Sequence, residues 1–372
     1  MVSSSASRST RIDCLRAVAA LLVVSQHVPI WPLLAKFGWI GVDIFFAISG
    51  FLISQLLFRD YDQTGGIHVV RFWIRRGFKI YPQFWALLAA TPFLLGFAIP
   101  QREWLAEIFM VQSYFEGIWA VTWSLAIEEH FYLLLPLLFL FLIRIRSRDP
   151  FSVLPGTTFF VVAVCALLRL WRVVEMGSDL QIGPLLASHV RMDELFTGVL
   201  AGYYFRYRKA ACVRILKSWQ PVFGLLLPAG VAAGIWHAWA GFSIGTTLIS
   251  AGAAAMVLTA VCDQSSAPGW FERKLAVVGR SSYALYLWHK PIQGLFLRAT
   301  GIFPESSVLA FASYLAITIA ASVALTQYFE DPILGLRDRW FTPIVRRPLD
   351  RCARLGSPVG GPQVLTQSQG QT

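Results

Sequence analysis

Charge is what this chain has least of. Only 14% of its 372 residues are Asp, Glu, Lys or Arg, while 56% are hydrophobic, and the mean hydropathy is +0.58. A soluble domain of this length needs a polar exterior, so that class is excluded. Cysteine is scarce too: Cys14, Cys165, Cys212, Cys262 and Cys352 form no CxxC and no metal-ligand spacing. Free thiols are expected, with no disulfide framework and no metal centre. No internal repeat is visible, so the inverted-repeat signature of many transporters is missing. No hydrophilic block is long enough for a soluble catalytic domain, which takes at least about 50 residues. Any chemistry must be done by apolar helices. The polar start MVSSSASRST leads into a long apolar run without a small-residue cleavage site, so a retained helix is expected.

What the chain has in abundance is apolar stretches near the length of a membrane helix. They fall near 12–34, 39–58, 79–99, 123–143, 154–172, 192–207, 220–238, 244–262, 279–299 and 307–329. The expected fold is all-α, a polytopic transmembrane bundle of about ten spans. The net charge of +11 is concentrated in alternate loops, around Arg59–Lys79, Arg144–Arg148, Arg206–Lys217, Arg273–Arg280 and Arg337–Arg354. That is the positive-inside pattern, which puts both termini in the cytoplasm and makes nucleic acid a poor partner. Residues 1–10 read as a cytoplasmic tail, 11–340 as the membrane unit and 341–372 as a loose basic tail.

Ionisable residues inside such helices are expensive and mark functional sites. His27 lies within the first run, eleven residues after Arg16, or roughly 16 Å along a helix axis. Asp13 and Arg16, three apart, share a face and can pair. Neutral imidazole can act as a general base near pH 7. The stretch RFWIRRGFKIYPQFW gathers Arg71, Arg75, Arg76 and Lys79, a topology signal that also suits a phosphate-bearing ligand. In TWSLAIEEHFYLLLP, Ser124, Glu128 and Tyr132 recur every four residues on one face, with Trp123 as a candidate interfacial belt residue. In GRSSYALYLWHKPI, Ser282, Tyr286 and His289 share another face. RMDELFTGVLAG, which opens on Arg191, and Glu330 in FEDP read as structural pairs.

Taken together and in order, these motifs resemble the acyltransferase 3 family of bacterial integral-membrane acyltransferases. Arg16 and His27 match its arginine-x10-histidine motif, and GVDIFFAISGFLIS carries Asp43 and Ser49 in a second matching stretch. WSLAIEEHFYLLLP and SSYALYLWHKP match two more. Three positions depart: Cys14 replaces a usual glycine, Lys79 an arginine and Lys290 an aromatic or apolar residue.

The resemblance implies an enzyme of the bacterial inner membrane. It takes an acyl group, acetyl foremost, from cytoplasmic acyl-CoA to a hydroxyl of a glycan, free or lipid-linked. Exopolysaccharide, O-antigen or a related oligosaccharide is the implied acceptor, with a small glycosylated metabolite as the alternative. Arg71, Arg75, Arg76 and Lys79 would hold the CoA phosphates. His27 would deprotonate the hydroxyl, with Glu128 or Asp43 orienting its ring. Ser49, Tyr132, Tyr286 or a backbone N–H would hold the oxyanion. Arg16 and Asp13 would complete the catalytic group, and Trp123, Ser124, Arg191, Ser282 and His289 would support it. A proton-coupled transporter also explains buried His, Asp and Glu, but it calls for paired broken helices and internal symmetry, and neither is legible here.

Overall fold

The computed structural model describes residues 9–28, 30–96, 98–146, 148–177, 183–237, 240–262 and 267–341. The expected tails, at 1–8 and 342–372, lie outside the described residues, as do Cys352 and the basic residues Arg346, Arg347, Arg351 and Arg354. Among the described residues, everything that is regular is helical. The helices are α1 (Thr10–Gln26), α2 (Pro32–Phe37), α3 (Ile40–Thr64), α4 (Val69–Leu95), α5 (Gln101–Ile108), α6 (Trp123–Ile145) and α7 (Leu154–Met176). They continue as α8 (Ser188–Tyr207), α9 (Lys209–Trp236), α10 (Thr246–Cys262), α11 (Trp270–Arg280), α12 (Ser282–Thr300), α13 (Val308–Leu325) and α14 (Asp331–Trp340).

Six helical stretches among the described residues are long and apolar enough to cross a membrane: Ile40–Thr64, Trp123–Ile145, Pro150–Met176, Lys209–Trp236, Gly241–Cys262 and Val308–Trp340. The other expected spans, α1, α4, α8 and α12, are shorter or richer in polar residues, because they carry the buried ionisable groups of the interior. On the outer helices the pattern inverts. Phe159, Phe160, Leu167, Trp171, Leu225 and Trp236 are exposed, while Arg169, Arg191, Asp193 and Glu194 are buried. Lipid, not water, makes that distribution favourable.

Helix boundaries differ from the hydropathy reading in two places that matter. The first run does not continue to residue 34: α1 opens on the Ser9 cap and ends at Gln26, with His27 as its C-cap residue. Pro29 and Pro32 follow in the sequence, and a proline disfavours helix in the residue before it. His27 therefore sits at a helix end and not well within a span. The basic cluster 71–79 is not a linker either. It occupies the first turns of α4, since charge lowers hydropathy without weakening the backbone hydrogen bonds of a helix.

The centre is α3, packed between α1 and α8. At Gly50 an added Cβ would lie 1.9 Å from the Leu195 carbonyl oxygen, and at Gly198 it would lie 2.2 Å from that of Ala47. Only glycine lets α3 and α8 approach this closely, the small-residue contact that membrane helices use. Gly279 seats α11 against the Asp13 carbonyl in the same way. In α6, Pro136 has no N–H to give to the carbonyl of Tyr132. The indole N–H of Trp73 on α4 takes that place at 3.0 Å, tying α4 to α6 beside the site.

Candidate active site

Three cavities share lining residues and follow one another through the bundle. The inner one, about 110 Å³, is lined by residues of α1, α3, α4, α6 and α12, including Arg16, Ser49, Arg76, Lys79, Glu128 and Tyr132. It also takes in Ser124, Ser282, Tyr283 and Tyr286. Arg76 is shared with an outer vestibule of about 240 Å³ that carries Arg59, Asp60, His68, Arg71 and Arg75. Val42 and Tyr286 are shared with a third cavity of about 400 Å³, lined by His27, Trp39, Trp123, Arg191 and loop residues Ala120, Val121 and Leu186.

In the inner cavity the Glu128 carboxylate accepts from Ser49 Oγ at 2.6 Å and from Tyr132 Oη at 2.7 Å. Arg16 Nε donates to Ser282 Oγ at 3.1 Å. Tyr286 Oη donates to the Val121 carbonyl at 2.6 Å and lies 2.7 Å from Ser124 Oγ. These bonds run between helix faces that the four-residue spacings identify. They also commit the hydroxyl protons of Ser49, Tyr132 and Tyr286 to carboxylate or carbonyl acceptors. Each hydroxyl has one proton to donate, so an oxyanion would compete with these acceptors for it.

The ring of His27 is not oriented by a carboxylate, contrary to expectation. Its Nδ1 lies 2.8 Å from the Val23 carbonyl and 3.3 Å from Nε2 of His289. The two imidazoles are tilted by 55° with centroids 5.0 Å apart. Glu128 is engaged by Ser49 and Tyr132, and Asp43 pairs with Arg191 at 2.6 Å. Asp13 is buried where Gly279 packs on its backbone.

The four basic residues expected to act together are divided. Arg71 and Arg75 face the vestibule, and Arg75 donates to Asp338 at 2.9 Å and to the Phe341 carbonyl at 2.7 Å. Arg76 stands at the neck with its buried Nε lacking a hydrogen-bond partner. Lys79 is ion-paired to Glu330, which a π turn at Thr326–Glu330 aims inward and which also accepts from Gln83 at 2.8 Å. An ammonium so compensated is a poor phosphate ligand. Trp123 is a wall of the His27 cavity, with the Arg191 guanidinium 5.4 Å from its ring centroid.

Sequence reasoning missed Arg169, which holds Asp193 in a two-pronged pair at 2.8 and 2.7 Å and is 1% exposed. Its one signal was an arginine deep in the apolar stretch 154–176. Tyr81 and Glu129, bonded at 2.9 Å, and Tyr283, whose hydroxyl donates to the Ile80 carbonyl at 2.8 Å, were given no role by the sequence reading. All three sit beside residues that were singled out.

Residues 9–327 match a family model described as an acyltransferase domain, that of acyltransferase 3. Over 357 residues the chain is 27% identical to the O-acetyltransferase OatA of Staphylococcus aureus, covering 87% of this chain and 56% of that protein. It is 27% identical over 336 residues to the putative peptidoglycan O-acetyltransferase YrhL of Bacillus subtilis, covering 76% and 48%. It is 26% identical over 355 residues to the peptidoglycan O-acetyltransferase OatA of Listeria monocytogenes, covering 87% and 55%. The chain thus spans about half the length of these relatives. No solved structure gives a significant match.

Proposed function

Because the chain belongs to the acyltransferase 3 family, we propose that it is a membrane O-acyltransferase that moves an acetyl group from acetyl-CoA to a hydroxyl of a cell-envelope glycan. The observation that carries this reading is the run of cavities from a basic vestibule, past Arg76, to the ring of His27. A phosphate-rich donor suits the vestibule, where Arg59 and Arg71 supply positive charge and Arg75 stands beside them paired to Asp338. The unpaired Nε of Arg76 is costly unless a ligand accepts from it.

The donor's narrow pantetheine arm passes the neck and brings the thioester to the junction at Val42 and Tyr286. His27 removes the proton of the acceptor hydroxyl as its oxygen attacks the thioester carbonyl carbon. The tetrahedral adduct collapses, the C–S bond breaks, and the proton held by His27 passes to the departing CoA thiolate. Arg16 supplies positive charge to the inner cavity while the adduct is anionic. The names of the relatives make the glycan of peptidoglycan the first acceptor to test, ahead of exopolysaccharide and O-antigen.

In membrane terms the reading has ten spans, both chain ends cytoplasmic, the vestibule facing the cytoplasm and the His27 cavity facing outward, in a bacterial inner membrane. An impermeant thiol reagent should label Phe115→Cys but not Arg214→Cys in intact cells, and the reverse labelling would overturn that orientation. The activity itself is tested by CoA release from acetyl-CoA by the purified protein in lipid, with and without glycan. Acceptor-dependent release that disappears in His27→Ala supports donor, acceptor class and base together. Equal release by His27→Ala removes the base assignment.

A further inference from the structure

His289 explains how a histidine without a carboxylate partner is kept in one neutral tautomer. It is fully buried on α12, one turn beyond Tyr286, and its Nδ1 lies 2.6 Å from the Tyr286 carbonyl oxygen. A carbonyl only accepts, so Nδ1 of His289 carries the hydrogen and its Nε2 presents a lone pair. That lone pair lies 3.3 Å from Nδ1 of His27. On the far side, Nδ1 of His27 is 2.8 Å from the Val23 carbonyl, a second group that only accepts. Both neighbours of this one nitrogen are therefore acceptors, and the hydrogen of the neutral His27 ring belongs on Nδ1. The other tautomer would turn three lone pairs toward one another in a dry site.

We propose that His289 is a positioning residue that, together with the Val23 carbonyl, holds His27 as its Nδ1–H tautomer and fixes its ring so that the His27 Nε2 lone pair is the base presented to the acceptor hydroxyl. The inference rests on the acyltransferase reading of the site. His289 does for His27 what a carboxylate does in a serine hydrolase triad: it fixes tautomer and ring orientation, and it accepts from the ring once that ring is protonated. It does so without adding a negative charge to the passage that the anionic donor uses. The supporting frame is held from two sides. Tyr314 on α13 donates to the His289 carbonyl at 2.9 Å, and Gln293 on α12 donates to the His27 carbonyl at 3.1 Å.

The test compares wild type, His289→Leu and His289→Gln in lipid, with acetyl-CoA and a peptidoglycan-derived oligosaccharide. Leucine fills the space but accepts nothing, whereas the glutamine amide oxygen can stand near the position of Nε2. The expected result is a kcat roughly 10–100-fold lower in His289→Leu, the scale seen when the partner that orients a metal-ligating histidine is removed. The KM for acetyl-CoA should stay within about twofold of wild type, and His289→Gln should recover most of the lost kcat. Nitrogen-15 histidine spectra, assigned against His27→Ala, should show Nδ1 of His27 protonated in wild type. A wild-type kcat in His289→Leu would overturn the proposal. So would a protonated Nε2 on His27, or a folded His289→Gln no better than His289→Leu. An inactive wild type, or an active His27→Ala, would instead overturn the reading on which it rests.

Discussion

The guanidinium carbon of Arg76 lies 4.4 Å from the centroid of the Tyr132 ring, and this stacked pair stands where the vestibule narrows into the inner cavity. Tyr132 is fixed by its bond to Glu128, so the arginine rests on a surface that does not move with it. A cation over a buried aromatic face keeps its planar fork pointed sideways, which lysine cannot imitate.

Replacing Arg76 with Ala should therefore raise the KM for acetyl-CoA about 10-fold, equivalent to about 1.4 kcal/mol, with little change in the KM for the glycan. Arg76→Lys should recover only part of that loss. Steady-state kinetics with each substrate varied in turn decides the matter. A rise confined to the glycan KM would remove Arg76 from the donor path.

Lys79 gives a contrasting expectation. Its partner is Glu330, and the pair is largely buried. Lys79→Met should leave a buried carboxylate without its cation and lower thermal stability by several degrees, since breaking one side of a buried pair costs about 3–5 kcal/mol. The double variant with Glu330→Gln should regain most of that stability, and the KM for acetyl-CoA of the double variant should stay within about twofold of wild type. A donor KM that rises with the loss of Lys79 alone, at unchanged stability, would restore it as a phosphate ligand.

Arg169 lines none of the three cavities and holds Asp193 between α7 and α8. Arg169→Met should lower the midpoint of thermal unfolding in lipid or detergent, again by a stability loss of about 3–5 kcal/mol. The folded fraction should keep its kcat. A fall in kcat with stability intact would mean that the pair acts on the site and not on the scaffold.

Glu107, on the short helix α5 between two spans, offers a pH test. It is fully buried and accepts from Thr122 Oγ1 at 2.7 Å and from the Trp119 N–H at 3.2 Å, which shapes the loop carrying Ala120 and Val121 to the His27 cavity. Burial pushes its carboxyl up to about 7 from an ordinary 4.5, outweighing the hydrogen bonds from Thr122 and Trp119 that pull it down. An acid raised in the folded state contributes stability that is complete below the unfolded value. That stability is lost as pH climbs through the folded value. The wild type should thus lose stability between about pH 4.5 and 7, up to about 3.5 kcal/mol at about 1.4 kcal/mol per unit. Glu107→Gln, neutral throughout, should show a flatter profile of unfolding temperature against pH. Parallel profiles for the two proteins would show that Glu107 is not the titrating group.

Much was legible before any coordinates because membrane solvation writes itself into composition. Little charge and many long apolar stretches point to a helical bundle in lipid, and period-four spacing put Ser124, Glu128 and Tyr132 on one face. Helix ends were less legible. Hydropathy windows average over prolines, so α1 ran past His27, and they penalise arginine, so α4 began too late. Partner choice was not legible at all. Glu128 and Asp43 were natural carboxylates to set beside His27, yet the packing of α12 against α1 brings an imidazole there, 262 positions away in sequence.

The amino-acid sequence by itself determined the solvent, the helical class, the family motifs and which residue types were too costly to be idle. Those follow from local free energies of transfer, which each stretch of chain carries with it. Only the tertiary structure decided who pairs with whom: His27 with His289, Arg191 with Asp43, Lys79 with Glu330. Pairing depends on how closely helix backbones approach at Gly50, Gly198 and Gly279 and on the rotation each helix adopts there. It is a property of contacts between distant segments, and no single segment encodes it.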